Sequence, residues 1–113
     1  MHASILVVEN HPDLRTEILA ILRREHYDCE GVGTGQAALL KLREHDYQYI
    51  LLDIDAPTDG SAVYDSCAES GTLGKLVLLT AVEELDEMPE SASNCALLRK
   101  PFDTRELLAR IAR

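Results

Sequence analysis

The sequence predicts an α/β fold, a parallel sheet with helices on both faces, on three observations. Four short aliphatic runs recur along the chain with a short strand-like stretch at Tyr27 to Val32 after the first, each is followed by a stretch that can be helical, and the aliphatic runs stop at polar residues without alternating with them. Strands buried on both faces read as continuous apolar runs, and parallel strands need crossover connections whose right-handedness puts the helices outside the sheet.

The elements follow in order. Ser4-Ile5-Leu6-Val7-Val8 is the first strand and stops at Glu9-Asn10. Pro12 suits a first helical turn, and Leu14, Ile18, Ile21 and Leu22 recur at helical spacing up to about Glu25. Tyr27 to Val32 is a short second strand, after which Gly33-Thr34-Gly35 turns the chain into a helix carrying Ala38, Leu39 and Leu42. Tyr49-Ile50-Leu51-Leu52 is the third strand, ended by Asp53, and beyond Pro57 and Gly60 the stretch Ser61 to Ser70 is weakly helical. Leu76-Val77-Leu78-Leu79 is the fourth strand, ended by Thr80. Glu83 to Asn94 is acidic and Ser-rich with Pro89 inside it, so any helix there is short or interrupted. Ala96-Leu97-Leu98 is the fifth strand, ending at Lys100-Pro101. Asp103 with Glu106 three residues later then makes a capping-box start for Leu107, Leu108 and Ile111.

A length of 113 residues predicts one domain, spanning 1–113, either alone or as the N-terminal part of a longer protein. The net charge of −9 argues against nucleic acid as a partner of this domain alone, because nonspecific binding to phosphates needs Lys and Arg. No apolar run approaches the ~20 residues that span a bilayer, and no basic segment precedes an apolar one at the start, so a cytoplasmic protein with no membrane partner is expected. Cys29, Cys67 and Cys95 are odd in number and far apart, which suits buried small hydrophobes better than a disulfide framework or a zinc site. Gly31, Gly33 and Gly35 do not have the Gly-x-Gly-x-x-Gly spacing of a dinucleotide loop and follow the second strand, not the first. The four histidines share no ligand spacing, and only His11 falls near a strand end of interest.

In an open parallel sheet all strands deliver their ends to one edge, where ligands bind at the reversal of strand order. That edge would gather Glu9 and Asn10, Asp53, Thr80 and Lys100. Glu9, Asn10 and Asp53 offer oxygen ligands to a hard divalent cation, and Mg²⁺ takes one or two carboxylates while keeping positions open for phosphate oxygens. Thr80 can donate a hydrogen bond and Lys100 a positive charge to the same group, with Asp53 as the nucleophile that forms an acyl phosphate.

Ile5-Leu6-Val7-Val8-Glu9-Asn10, Leu51-Leu52-Asp53 with Pro57 and Gly60, Leu78-Leu79-Thr80-Ala81 and Lys100-Pro101-Phe102 together resemble the receiver domain of bacterial two-component response regulators, across essentially the whole chain. The resemblance implies a flavodoxin-like fold with strand order 2-1-3-4-5. It implies Asp53 as phosphoacceptor, Glu9 and Asn10 at the acidic-pair positions that bind Mg²⁺, Thr80 as switch hydroxyl and Lys100 as partner of the phosphoryl oxygens. The implied partners are a sensor histidine kinase or phosphotransfer protein, and a downstream protein or covalently attached output domain. Pairing with a second copy is left open. No general acid or substrate pocket is evident, so the expected role is a switch and not an enzyme.

Several residues depart from the family pattern. Asn10 replaces the second acid, which weakens the cation site, and Asp55 is a candidate for supplying a further ligand. The Asp53-to-Gly60 and Thr80-to-Lys100 intervals are short, which would trim the third and fourth helices. Leu97 stands where the family commonly has an inward-turning Tyr or Phe. These departures motivate the alternative of a pseudo-receiver, an interaction module that keeps the fold without regulation by phosphorylation.

Overall fold

The four aliphatic runs and the edge strand at 28–32 form one parallel sheet in the order β2-β1-β3-β4-β5. The computed structural model describes residues 4–53, 60–81 and 96–111. Within them run β1 (Ser4–Val8), α1 (Pro12–Arg24), β2 (Asp28–Val32), α2 (Gly35–Glu44), β3 (Tyr49–Asp53), α3 (Gly60–Ser70), β4 (Leu76–Ala81), β5 (Ala96–Lys100) and α4 (Thr104–Ile111), with a 3₁₀ turn at Leu73–Lys75. The doubly wound, flavodoxin-like order read from the sequence is the observed one.

Alternation of side chains along each strand splits the core in two. Ile5 and Val7 of β1, Leu51 of β3, Val77 and Leu79 of β4 and Leu98 of β5 meet Ile18, Ile21 and Leu22 of α1 and Leu107 and Ile111 of α4. Leu6, Val8, Ile50, Leu52, Leu76 and Leu78 point the other way, onto Ala38 of α2 and Val63, Tyr64 and Cys67 of α3. Helices therefore cover both faces, and the central strands are apolar throughout because neither face meets water.

Local chemistry starts the helices where the sequence placed them. Pro12 occupies the first turn of α1, Thr34 caps α2 by accepting from the Ala37 N–H at 3.1 Å, and Asp103 and Glu106 bond reciprocally at 2.8 and 3.2 Å ahead of α4. Several boundaries differ from the expected ones. β2 begins at Asp28, one residue late, because the Tyr27 N–H still bonds the Leu22 carbonyl at the end of α1. β3, β4 and β5 each continue through the polar residues expected to end them, since Asp53, Thr80, Ala81 and Lys100 still pair with neighbouring strands or lie in register with them. α3 runs over 11 residues and α2 over ten. Glu83 to Asn94, where a short fourth helix was expected, falls outside the described residues, as do Asp55, Pro57 and Cys95. Cys67 is buried and Cys29 half-buried, both as free thiols.

Candidate functional site

Strand order reverses between β1 and β3, and the register there sets Val8 beside Leu52. The next residues along the two strands, Glu9 and Asp53, consequently face the same crevice at the carboxyl edge. Asp53 lies opposite Leu79, the residue before Thr80, and Lys100 lies opposite Ala81. Five residues far apart in sequence are thereby brought to one end of the sheet: Glu9, Asn10, Asp53, Thr80 and Lys100. Glu9, Asp53 and Thr80 are buried, at 0%, 2% and 0% exposure, while Asn10 is half-buried on the β1–α1 loop.

Lys100 holds the cluster together. Its Nζ lies 2.9 Å from Glu9 Oε1 and 3.2 Å from Asp53 Oδ2. Burial alone would lower the Lys100 pKa, but the two carboxylates outweigh it and hold the ammonium above its ordinary value. Glu9 moves upward as well, foremost because burial penalises its charge and then because Asp53 stands beside it. Lys100 and the His11 N–H, which donates to Glu9 Oε2 at 3.1 Å, pull the other way without cancelling the rise. Glu9 Oε1 is buried, with the Lys100 ammonium beside it at 2.9 Å and no further donor to it among the described residues. Two adjacent carboxylates, one with such an oxygen, and a neighbouring amide are a donor set suited to a hard cation.

Among the described residues no group of three His, Cys, Asp or Glu side chains gathers as a metal site. Among the described residues Glu9 and Asp53 are the two acids at this edge, and Asn10 beside them is an amide. Leu97 is partly buried against the α2/α3 side of the core.

Two features escaped the sequence reading. Arg15 of α1 donates through Nη1 to the Glu9 carbonyl at 2.9 Å, a tie to the site's own backbone. Away from the site, Glu30 of β2 accepts from Lys41 at 2.8 Å and from the buried Tyr47 hydroxyl at 2.9 Å, joining β2, α2 and the approach to β3. Helical spacing could have pointed to Arg15, which sits four residues before Leu19 on α1. Nothing local in sequence links Glu30 to Tyr47. A cavity of about 280 Å³ lined by His45, Tyr47, Cys67, Thr72 and Lys75, among others, opens near the amino ends of β3 and β4 and shares no residue with the carboxyl-edge cluster.

A doubly wound sheet that gathers two acids, a hydroxyl and an amine at its switch point is an arrangement suited to holding a phosphoryl group. The chain belongs to the response regulator receiver domain family, whose model it matches over residues 5–112. It is 33% identical over 117 residues to the DNA-binding response regulator MtrA of Mycolicibacterium smegmatis, covering 98% of this chain and 50% of that protein. It is 34% identical over 110 residues to the transcriptional regulatory protein CutR of Streptomyces coelicolor, covering 95% and 51%. The chain thus spans about half the length of the curated relatives it matches. Among solved structures, the chemotaxis protein CheY4 of Vibrio cholerae shares the fold with a TM-score of 0.87 at 22% identity, covering 100% of this chain and 98% of that one. The response regulator TrrA of Thermotoga maritima, in complex with Mg²⁺ and BeF, aligns with a TM-score of 0.85 at 26% identity, covering 99% and 97%. Receiver domains of two-component regulators serve phosphorylation-dependent signalling in general and are switches more than enzymes. No helix among the described residues is long and apolar enough to cross a membrane.

Proposed function

We propose that this chain is a single receiver domain, residues 1–113, that accepts a phosphoryl group on Asp53 from a histidine kinase or phosphotransfer protein and thereby alters a protein-interaction face near β4 and β5. The observation that carries the reading is Lys100 Nζ set between two buried carboxylates, Glu9 and Asp53, at the switch point of the sheet.

In the transfer, an Asp53 carboxylate oxygen attacks the phosphorus of the donor's phosphohistidine. The new P–O bond makes an acyl phosphate as the P–N bond breaks, and its electron pair stays on the ring nitrogen, which leaves as imidazole when the other ring nitrogen carries a proton. Lys100 offers its charge to the phosphoryl oxygens, and the Thr80 hydroxyl donates to one of them once the group is in place. Glu9, Asn10, Asp53 and, from its place in the sequence, Asp55 would hold Mg²⁺, which supplies neutralisation of the phosphoryl charge when bound. The named relatives are described as DNA-binding and transcriptional regulators, so the downstream element proposed is a DNA-binding output module, attached or separate, with this acidic domain itself making no nucleic-acid contact.

Asn10 favours a second reading, a pseudo-receiver that binds partners constitutively, since it removes one charge from the cation site. One experiment separates the two: intact-mass spectrometry after incubation with acetyl phosphate and Mg²⁺. A single phosphoryl addition that disappears in Asp53→Asn supports the switch. Absence of any addition in a folded wild-type chain at high Mg²⁺ supports the pseudo-receiver.

A further inference from the structure

We propose that Arg15 is a positioning residue for the loop that carries Glu9 and Asn10, and that Gly31-x-Gly33 is the bed in which its side chain lies. The proposal rests on the reading that Glu9 and Asn10 hold Mg²⁺. It gives a role to a glycine pattern that matches no phosphate-binding loop.

The geometry is set by two periodicities. Cys29, Gly31 and Gly33 alternate onto the α1 side of β2 and its continuation, while Arg15 and Leu19, four apart, share one stripe of α1. The Cys29 thiol meets the Leu19 carbonyl at 3.7 Å, which fixes the register of helix over strand. A Cβ at Gly31 would stand 2.8 Å from Leu19 Cδ1 and 3.2 Å from both Cγ and Cδ of Arg15. A Cβ at Gly33 would stand 2.9 Å from Arg15 Nη1. The missing side chains of β2 are therefore the space through which the Arg15 stem runs and in which its guanidinium rests.

From that bed Arg15 reaches one acceptor, the Glu9 carbonyl, at 2.9 Å. On its other side the Glu9 N–H is held by the Val32 carbonyl at 3.1 Å. Glu9 is thus pinned at both main-chain ends between β2 and α1. Because the guanidinium takes the carbonyl and not the carboxylate, the carboxylate stays turned toward Lys100 and Asp53. The Glu9 carbonyl belongs to the peptide that leads into Asn10, so fixing it also fixes where Asn10 departs from the strand. Residues that orient ligands without touching the metal typically change its affinity 10–100-fold when mutated.

The test uses the purified chain and Mg²⁺ alone, with affinity measured by isothermal titration calorimetry and the His11 amide followed by NMR hydrogen exchange. Arg15→Met keeps an aliphatic stem over Gly31 and removes the donor. Gly33→Ala evicts only the flexible tip of Arg15, and the strain on the fold is correspondingly small. Each is expected to weaken Mg²⁺ binding about tenfold and to speed exchange at His11, with Arg15→Lys intermediate. The double variant should bind no worse than Arg15→Met, because the alanine has nothing left to displace. A mere packing role would instead lower the urea midpoint and leave the affinity of the folded chain alone. Unchanged Mg²⁺ affinity in Arg15→Met, or additive losses in the double variant, would overturn the proposal. A wild-type chain that takes up no Mg²⁺ overturns the metal reading itself; His11 exchange then decides the anchoring alone, faster in both single variants if Arg15 pins the loop and unchanged if it does not.

Discussion

Replacing Lys100 with Met removes a cation that touches both Glu9 and Asp53, at 2.9 and 3.2 Å, and leaves two buried carboxylates side by side. Breaking a buried pair by deleting one partner costs about 3–5 kcal/mol, and the 20% exposure of the Lys100 side chain puts this case at the lower end, about 3 kcal/mol. With a urea m-value of about 1.5 kcal/mol/M for a chain of this size, the unfolding midpoint at neutral pH without Mg²⁺ should fall by about 2 M. The sign with pH follows from Glu9. Its pKa in the folded chain is raised, chiefly by burial, so the stability it contributes is present below its unfolded value and is lost as pH rises through the folded one. Loss of Lys100 raises Glu9 further, and the variant's deficit should widen as pH rises above the ordinary carboxylate range and close on acidification. Mg²⁺ should restore part of the loss by supplying the missing positive charge. Urea titrations at several pH values, with and without Mg²⁺, measure all of this. A Lys100→Met chain as stable as wild type in Mg²⁺-free buffer at neutral pH, or a deficit of constant size across pH, would refute the electrostatic account.

Asn10→Asp adds a further acid beside Glu9 and Asp53; calorimetry should show Mg²⁺ bound about tenfold more tightly, while the Mg²⁺-free variant unfolds at lower urea because like charges crowd Glu9 and Asp53. Thr34→Ala strips the cap that accepts from Ala37 and should cost about 1 kcal/mol in a denaturant titration, with the site's chemistry unaffected. Tyr47→Phe deletes the hydroxyl bond to Glu30 and should cost about 1 kcal/mol, kept low by the exposure of Glu30. In the wild type Tyr47, buried and bonded to that carboxylate, is pushed up to about 12. Its contribution to stability is therefore complete below the usual tyrosine value and lost as pH rises toward 12, and tyrosinate absorbance should show one late-titrating ring that the variant lacks.

The sheet was legible because its central strands are buried on both sides. Leu6-Val7-Val8, Ile50-Leu51-Leu52 and Val77-Leu78-Leu79 have no solvent face to accommodate, and the first polar residue marks the edge. The same logic located Glu9, Asp53, Thr80 and Lys100, since parallel strands share one carboxyl end. Strand limits were read a residue or two short because a polar side chain does not stop backbone pairing: Thr80 and Lys100 stay in the ladder with their neighbours. Arg15 was missed for a different reason. Its partner is a main-chain carbonyl, which leaves no mark in composition, and its bed is two absent side chains on a strand that follows it in sequence. The Glu30–Lys41–Tyr47 network was missed because its members come from three elements joined only by the fold.

The last turn of α4 is hooked to β5 by Arg110, whose Nε donates to the Leu97 carbonyl at 2.8 Å. Leu97 is three residues before Lys100 on the same strand. Strand and helix are coupled from a side-chain donor to a main-chain acceptor, as a bracket couples a shelf to its wall, and in the proposed switch a pull on Lys100 would be carried along β5 to α4. In the proposed switch α4 would follow β5 through a contact that does not depend on the side chain at position 97.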